Sequence, residues 1–156
     1  MKDSELSKKA QTWLLVLRLG TGWLFLYAGL TKVLDPLWSA EGFLRNAKTF
    51  SGFYSWFLDP GMLWAANIIN EWALVLLGVS LILGFFVRPS GIFGIVLMLL
   101  YYFAASAVPA VPNGFVVDEH IILILILAFL VAIDAGNFFG LDRFLRKQEK
   151  AKVENY

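Results

Sequence analysis

The chain has 156 residues, of which 59% are hydrophobic, 16% aromatic and 16% charged, with a formal net charge of +1 and a mean hydropathy of +0.70. A soluble domain of this size cannot cover that much apolar surface; the net charge says nothing about nucleic acid, but no basic stripe is present to track phosphates, and no nucleic-acid partner is expected. The absence of cysteine excludes thiol chemistry and thiolate metal sites. All five prolines, Pro36, Pro60, Pro89, Pro109 and Pro112, fall between apolar runs, and proline breaks helices.

The first run, about 12–34, follows a basic start with Lys2, Lys8 and Lys9. It is too long for the apolar region of a signal peptide and lacks a clear cleavage site, so it reads as a mature span. The connection after it, LWSAEGFLRNAKTFSGFYSWFLD, carries its own period. Glu41, Arg45 and Lys48 recur on one side, and Phe43, Ala47, Phe50, Tyr54 and Phe57 on the other. This pattern predicts an amphipathic interfacial helical segment, broken near Gly52, acting as an anchor or as a lid over a site between the helices. Three further runs follow, at about 61–87, 90–108 and 117–138. Each is near the ~20 residues needed to cross ~30 Å of hydrocarbon, and none alternates as a barrel strand does. The expectation is all-α: a transmembrane four-helix bundle forming a single domain over 1–156.

Orientation follows from the basic residues. Lys2, Lys8 and Lys9, then Arg88, then Arg143, Arg146, Lys147, Lys150 and Lys152 lie on one side. The first connection holds only Arg45 and Lys48, and the PAVPNGF connection holds neither type. Both termini are therefore expected in the cytoplasm.

Ionisable groups inside spans are costly, about 2.5–3.5 kcal/mol at the helix centre, and mark contacts or sites. The stretch NIINEWALVLLG places Glu71 beside Asn67 and Asn70, with Asn67, Glu71, Leu74 and Gly78 on one helix face. In the first span Arg18 and Lys32 lie fourteen residues apart on one face, with Gly22, Phe25 and Gly29 between them. Those two glycines permit close approach of another helix or of a flat ligand. His120 and Asp134 repeat the spacing in the fourth run, with Glu119 adjacent, while Tyr101, Tyr102 and Ser106 occupy the outer half of the third. With helices running alternately up and down, two polar layers are expected. Arg18 and Asp134 form an inner structural charge pair. Lys32, Glu71 and His120, with Glu119, form an outer group that either holds the helices in register or binds a ligand or handles protons. One histidine among a few carboxylates does not make a metal centre, so no metal is expected, and it cannot supply two axial haem ligands unless subunits share it.

Several motifs carry a family resemblance. RLGTGWLFLYAGLTKVLDP, with Arg18, Gly22, Gly29 and Lys32, resembles the first span of the DoxX/DoxD family of four-helix membrane proteins. NEWALVLLGVSLILGFFVRPSG, with Glu71 and Arg88, is similar to the family's second span. DAGNFFGLDRFL, with Asp134, Gly136, Gly140 and Asp142, is similar to its close. The resemblance implies a plasma-membrane component of a bacterial or archaeal redox system, and its DoxD members are associated with thiosulfate:quinone oxidoreductase. Fold likeness alone does not transfer activity. The implied function is a quinone-linked oxidoreductase subunit with quinone as cofactor. Lys32 and His120 would bond or protonate the quinone oxygens, Glu71 would relay or balance charge, and Tyr101, Tyr102 and Glu119 would complete the binding site. Its partners would be the lipid bilayer and a soluble or membrane redox subunit, with homo-oligomerisation open. The rival expectations are a non-catalytic scaffold or assembly subunit and a small-solute or proton pathway.

Overall fold

The computed structural model describes residues 6–109 and 114–143. Lys2, Arg146, Lys147, Lys150 and Lys152, which enter the orientation argument, lie outside the described residues, as does 110–113 of the third connection. Among the described residues the chain is all-helical: α1 (Lys8–Val33), α2 (Glu41–Arg45), α3 (Ser51–Trp56), α4 (Pro60–Leu83), α5 (Val87–Ala105), α6 (Glu119–Ala132) and a 3-10 turn, Ala135–Asn137.

Local chemistry sets these boundaries. The Ser7 hydroxyl accepts from Ala10 N at the start of α1, and the Asp59 carboxylate accepts from Gly61 N at the start of α4, with Pro60 pre-set in the first turn. Gly84 ends α4 with φ 65°, in the left-handed region that glycine enters at no steric cost. α5 begins earlier than expected, so Arg88 and Pro89 lie in its first turn. Proline is tolerated there because the first N–H groups have no helical acceptor.

α1, α4 and α5 are long and apolar enough to cross a membrane, which makes the chain a multi-pass membrane protein. Their lipid-facing sides are stripes of large residues: Trp13, Trp23 and Tyr27 on α1, and Trp64, Ile68, Trp72 and Leu76 on α4 are all exposed. The opposite faces are closed, Leu14, Arg18, Gly22, Phe25 and Gly29 against Leu74, Leu77, Gly78 and Leu81. The glycines act here through helix contact. A Cβ on Gly29 would lie 2.6 Å from Val75 N, and one on Gly78 would lie 2.6 Å from Leu26 Cα and 2.7 Å from Gly22 O. α1 and α4 therefore meet backbone to backbone, and no flat ligand separates them.

The fourth run departs from expectation. α6 has 14 residues, about 21 Å at 1.5 Å per residue, rather than a helix over 117–138. Ile133 follows its last turn, and Asp134 adopts φ 51°, which ends the helix before the second polar group of that run. The first connection also differs in detail. It forms two short helices with the break at 46–50, where Phe50 has φ 55°, and Gly52 lies inside α3.

Candidate functional site

The polar residues of α1 belong to two separate places, about 21 Å apart for fourteen helical residues. At the Arg18 end, the guanidinium is 1% exposed. Nη1 donates to Ala135 O at 2.7 Å and to Phe138 O at 3.0 Å, and Nη2 donates to Phe139 O at 3.2 Å. The expected Arg18–Asp134 pair is corrected by this geometry. Arg18 binds the carbonyls of the turn after α6, and Asp134 Oδ1 lies 3.7 Å from Arg88 Nη1. The reason is the left-handed residue at 134: the helix that would keep His120 and Asp134 on one face has already stopped. Asp142 completes the junction, its carboxylate accepting from Phe86 N at 2.8 Å and Val87 N at 3.2 Å, so that it caps α5 from the far end of the chain. Leu141 N and Asp142 N donate to Leu83 O and Gly84 O.

At the Lys32 end there is a cavity of about 510 Å³, within the usual ~300–1,000 Å³ of ligand sites. Its floor is α4 and α5, through Ala65, Ala66, Ile69, Leu97 and Leu100. Its roof is the first connection, through Trp38, Phe43, Tyr54 and Trp56. Lys32, Asn70 and Tyr101 from the long helices and Ser39 and Tyr54 from the first connection are polar members of its lining. The Lys32 ammonium donates to Ala28 O at 3.1 Å and lies 5.5 Å from the centre of the Trp38 ring. An ammonium has three donors, so this leaves capacity for a ligand. The Tyr101 hydroxyl donates to Asn70 Oδ1, and Phe43 packs edge-on against the Tyr101 ring at 5.4 Å.

The roof is fastened on two sides. Lys48 N and Thr49 N donate to Ala104 O and Phe103 O. The Thr49 hydroxyl donates to Ser106 O at 2.6 Å, and the Tyr54 hydroxyl donates to Leu100 O at 2.7 Å. Burial pushes the Tyr54 phenol above the ordinary tyrosine value, so it stays a neutral donor. On the α4 side Asn67 Oδ1 accepts from Ala40 N at 2.9 Å. Of the two amides flanking Glu71 in the sequence, Asn67 therefore holds the roof and Asn70 lines the cavity.

The remaining expected site residues stand outside the cavity lining. Glu71 is partly buried, interacts with Lys32 through space without a contact ion pair, and makes no hydrogen bond among the described residues. His120 lies behind Tyr101, their ring centroids 6.1 Å apart and nearly perpendicular. Its Nδ1 is 2.8 Å from Asp118 Oδ2. Tyr102 is buried and donates to Val116 O at 2.7 Å, and Glu119 is exposed in the first turn of α6. Sequence reasoning missed two participants, Asn70 and Asp118. Asn70 was visible as a second amide inside an apolar run. Asp118 was visible as an acidic residue immediately before a helix, where the cap position is expected. Burial pushes the Asp118 carboxyl up, but hydrogen bonds from the His120 ring and from the backbone N–H groups of Ile121 and His120 outweigh it and hold it below the ordinary aspartate value.

A second groove, between α4 and α5, is lined by Trp72, Leu76, Phe86 and Phe93 among others and offers no ionisable group. The Lys32 cavity is therefore the candidate site. Neither a curated protein nor a solved structure matches this chain. A model of the DoxX family matches residues 13–107, which contain Arg18, Lys32, Asn70, Glu71 and Tyr101; spanning more than half of the sequence, this match shows that the chain belongs to the DoxX family.

Proposed function

We propose that the chain is a membrane subunit of a quinone-linked redox system in a bacterial or archaeal plasma membrane, of the thiosulfate:quinone oxidoreductase kind. The observation that carries this reading is a largely apolar, aromatic-roofed cavity with Lys32, Asn70 and Tyr101 gathered in it. The donors fit a quinone head group: an ammonium with unused hydrogens and the Asn70 amide N–H₂, whose oxygen is held by the Tyr101 hydroxyl. Glu71 offsets the charge of Lys32 through space, which suits an uncharged ring better than a free anion. Phe53, Trp56, Met62 and Ile69, all exposed, give the cavity an apolar margin that suits a lipid-soluble tail.

A quinone, when bound, supplies the two-electron, two-proton redox chemistry. Lys32 and the Asn70 amide orient its oxygens, Tyr101 closes the polar end, and the roof of α2 and α3 excludes water. Electrons come from a partner subunit. The shorter α6 completes the bundle as a fourth, thinner crossing, and both termini face the cytoplasm. The arrangement of Lys8, Lys9, Arg88 and Arg143 supports that orientation.

A second reading, a non-catalytic assembly subunit, draws on the Arg18 end, where the cation's hydrogen bonds among the described residues all go to backbone carbonyls of the turn after α6. Mass spectrometry of lipid-soluble molecules retained after gentle purification separates the two. Quinone retained by the wild type and lost in Lys32→Leu supports the redox reading. A wild type that retains none, and binds no added short-tail quinone, overturns it.

A further inference from the structure

Behind the cavity wall, outside its lining, is a pair of side chains, Asp118 and His120. Asp118 precedes α6 and uses both carboxylate oxygens. Oδ1 accepts from His120 N at 3.0 Å and Ile121 N at 3.1 Å, while Oδ2 lies 2.8 Å from His120 Nδ1 and accepts from the Ser106 hydroxyl at 3.3 Å. Helix capping explains the first oxygen only. A cap needs one acceptor, and serine or threonine supplies it as well as aspartate. The second oxygen is turned to the imidazole, and both side chains are largely enclosed, 14% exposed for His120 and 13% for Asp118. The Ser106 hydroxyl, at the end of α5, donates to that same oxygen.

We propose that Asp118 is a positioning residue that holds His120 with its proton on Nδ1 and its ring against Tyr101, leaving Nε2 as the proton-exchanging nitrogen of the site. An ionised carboxylate is an acceptor only, so the imidazole nitrogen facing it must be the one that carries hydrogen. Nε2 has no hydrogen-bond partner among the described residues and is free to take or give a proton. Tyr101 joins the pair to the cavity: one part of its surface lines the cavity, and its ring meets His120 at 6.1 Å. The same division of labour, a carboxylate fixing one imidazole nitrogen so that the other is chemically available, is a general way of orienting a histidine. Asp118 and His120 both lie beyond residues 13–107, so the family match does not assign them. The tautomer half of the proposal is independent of quinone, and the proton-exchange half rests on the function proposed above.

The chain contains a single histidine, so nitrogen-15 NMR of histidine-labelled protein in detergent reports His120 alone. The wild type should show a protonated Nδ1 and an unprotonated Nε2 at a pH where the ring is neutral. Asp118→Ser, which keeps a cap acceptor, should shift the tautomer ratio by about tenfold or more toward Nε2–H, the scale of one lost hydrogen bond to a charged group. Asp118→Asn, closer in shape, replaces it if the serine variant does not fold. A tautomer ratio unchanged in the variant overturns the positioning claim. Adding a short-tail quinone to the wild type should move the Nε2 signal. Quinone that binds without moving it overturns the link to the cavity. If no quinone binds, the proposed function and the exchange half fail together, and the tautomer result still decides the role of Asp118.

Discussion

The backbone contact between α1 and α4 gives a direct quantitative test. In Gly78→Ala the new methyl carbon would lie 2.6 Å from Leu26 Cα and 2.7 Å from Gly22 O, and closer still to Leu26 N. Comfortable carbon contacts are about 3.5–4.0 Å, so the two helices must part by roughly 1 Å. No flexible side chain among those neighbours can move aside instead. Overpacking of this kind costs about 1–3 kcal/mol, and alanine recovers up to about 1 kcal/mol over glycine in helix propensity. The net expectation is a loss of about 1–2 kcal/mol. Gly20 is the internal control, because a Cβ there meets nothing within 4 Å, and Gly20→Ala should stabilise by about 0.5–1 kcal/mol. Equilibrium unfolding of both variants in one detergent gives the comparison. Lys32 and Asn70 sit on the two helices held by this contact, so Gly78→Ala should also weaken ligand retention. A Gly78→Ala protein as stable as the wild type, or both variants shifting in the same direction, would refute the close-contact argument.

Arg18→Leu should cost on the order of 3–5 kcal/mol, because it leaves carbonyls at Ala135, Phe138 and Phe139 without their donor; Arg18→Lys should recover only part, and the exchange of Arg18 with Asp134 should give no rescue in a double-mutant cycle. Glu71→Gln should melt near the wild-type temperature while retaining less ligand, and a marked fall in melting temperature at unchanged occupancy would make Glu71 a packing residue. The lowered Asp118 value means that its stabilisation is present at neutral pH and fades as pH falls through that native value; the stability difference between wild type and Asp118→Ser, followed by acid titration, should shrink over that interval. The chain has no cysteine, so single cysteines introduced at Ser39 and Arg143 report topology: in intact cells an impermeant label should reach the first and not the second.

The long helices were readable because apolar runs near 20 residues with proline between them admit few alternatives. The tight glycine contact was readable for a similar reason, since Gly22, Gly29 and Gly78 fall on faces that also carry the polar residues. What failed was extrapolation of helical phase. Placing Asp134 opposite Arg18 assumed a helix through residue 134, and a left-handed turn intervenes. Such a turn is set by contacts with distant residues, as when Arg18 ties the segment after α6 to α1 and Asp142 ties it to the start of α5. The site was legible in its charged residues and less so in its neutral ones. Lys32 announces itself inside an apolar run. Asn70 gains meaning only when Tyr101 is brought to it, and the aromatic residues of the first connection only when the break at 46–50 folds them over the cavity.

The grip of Arg18 on the turn after α6 also has a consequence for biogenesis. Its acceptors lie 117, 120 and 121 residues further along the chain. During synthesis α1 enters the membrane long before those carbonyls exist, so the nascent chain carries an unsatisfied guanidinium in a low-dielectric setting. A chain that stops short of Ala135 lacks the three carbonyls that the guanidinium binds in the full fold. Arg18 thus gains its acceptors only from the part of the chain made last among the described residues.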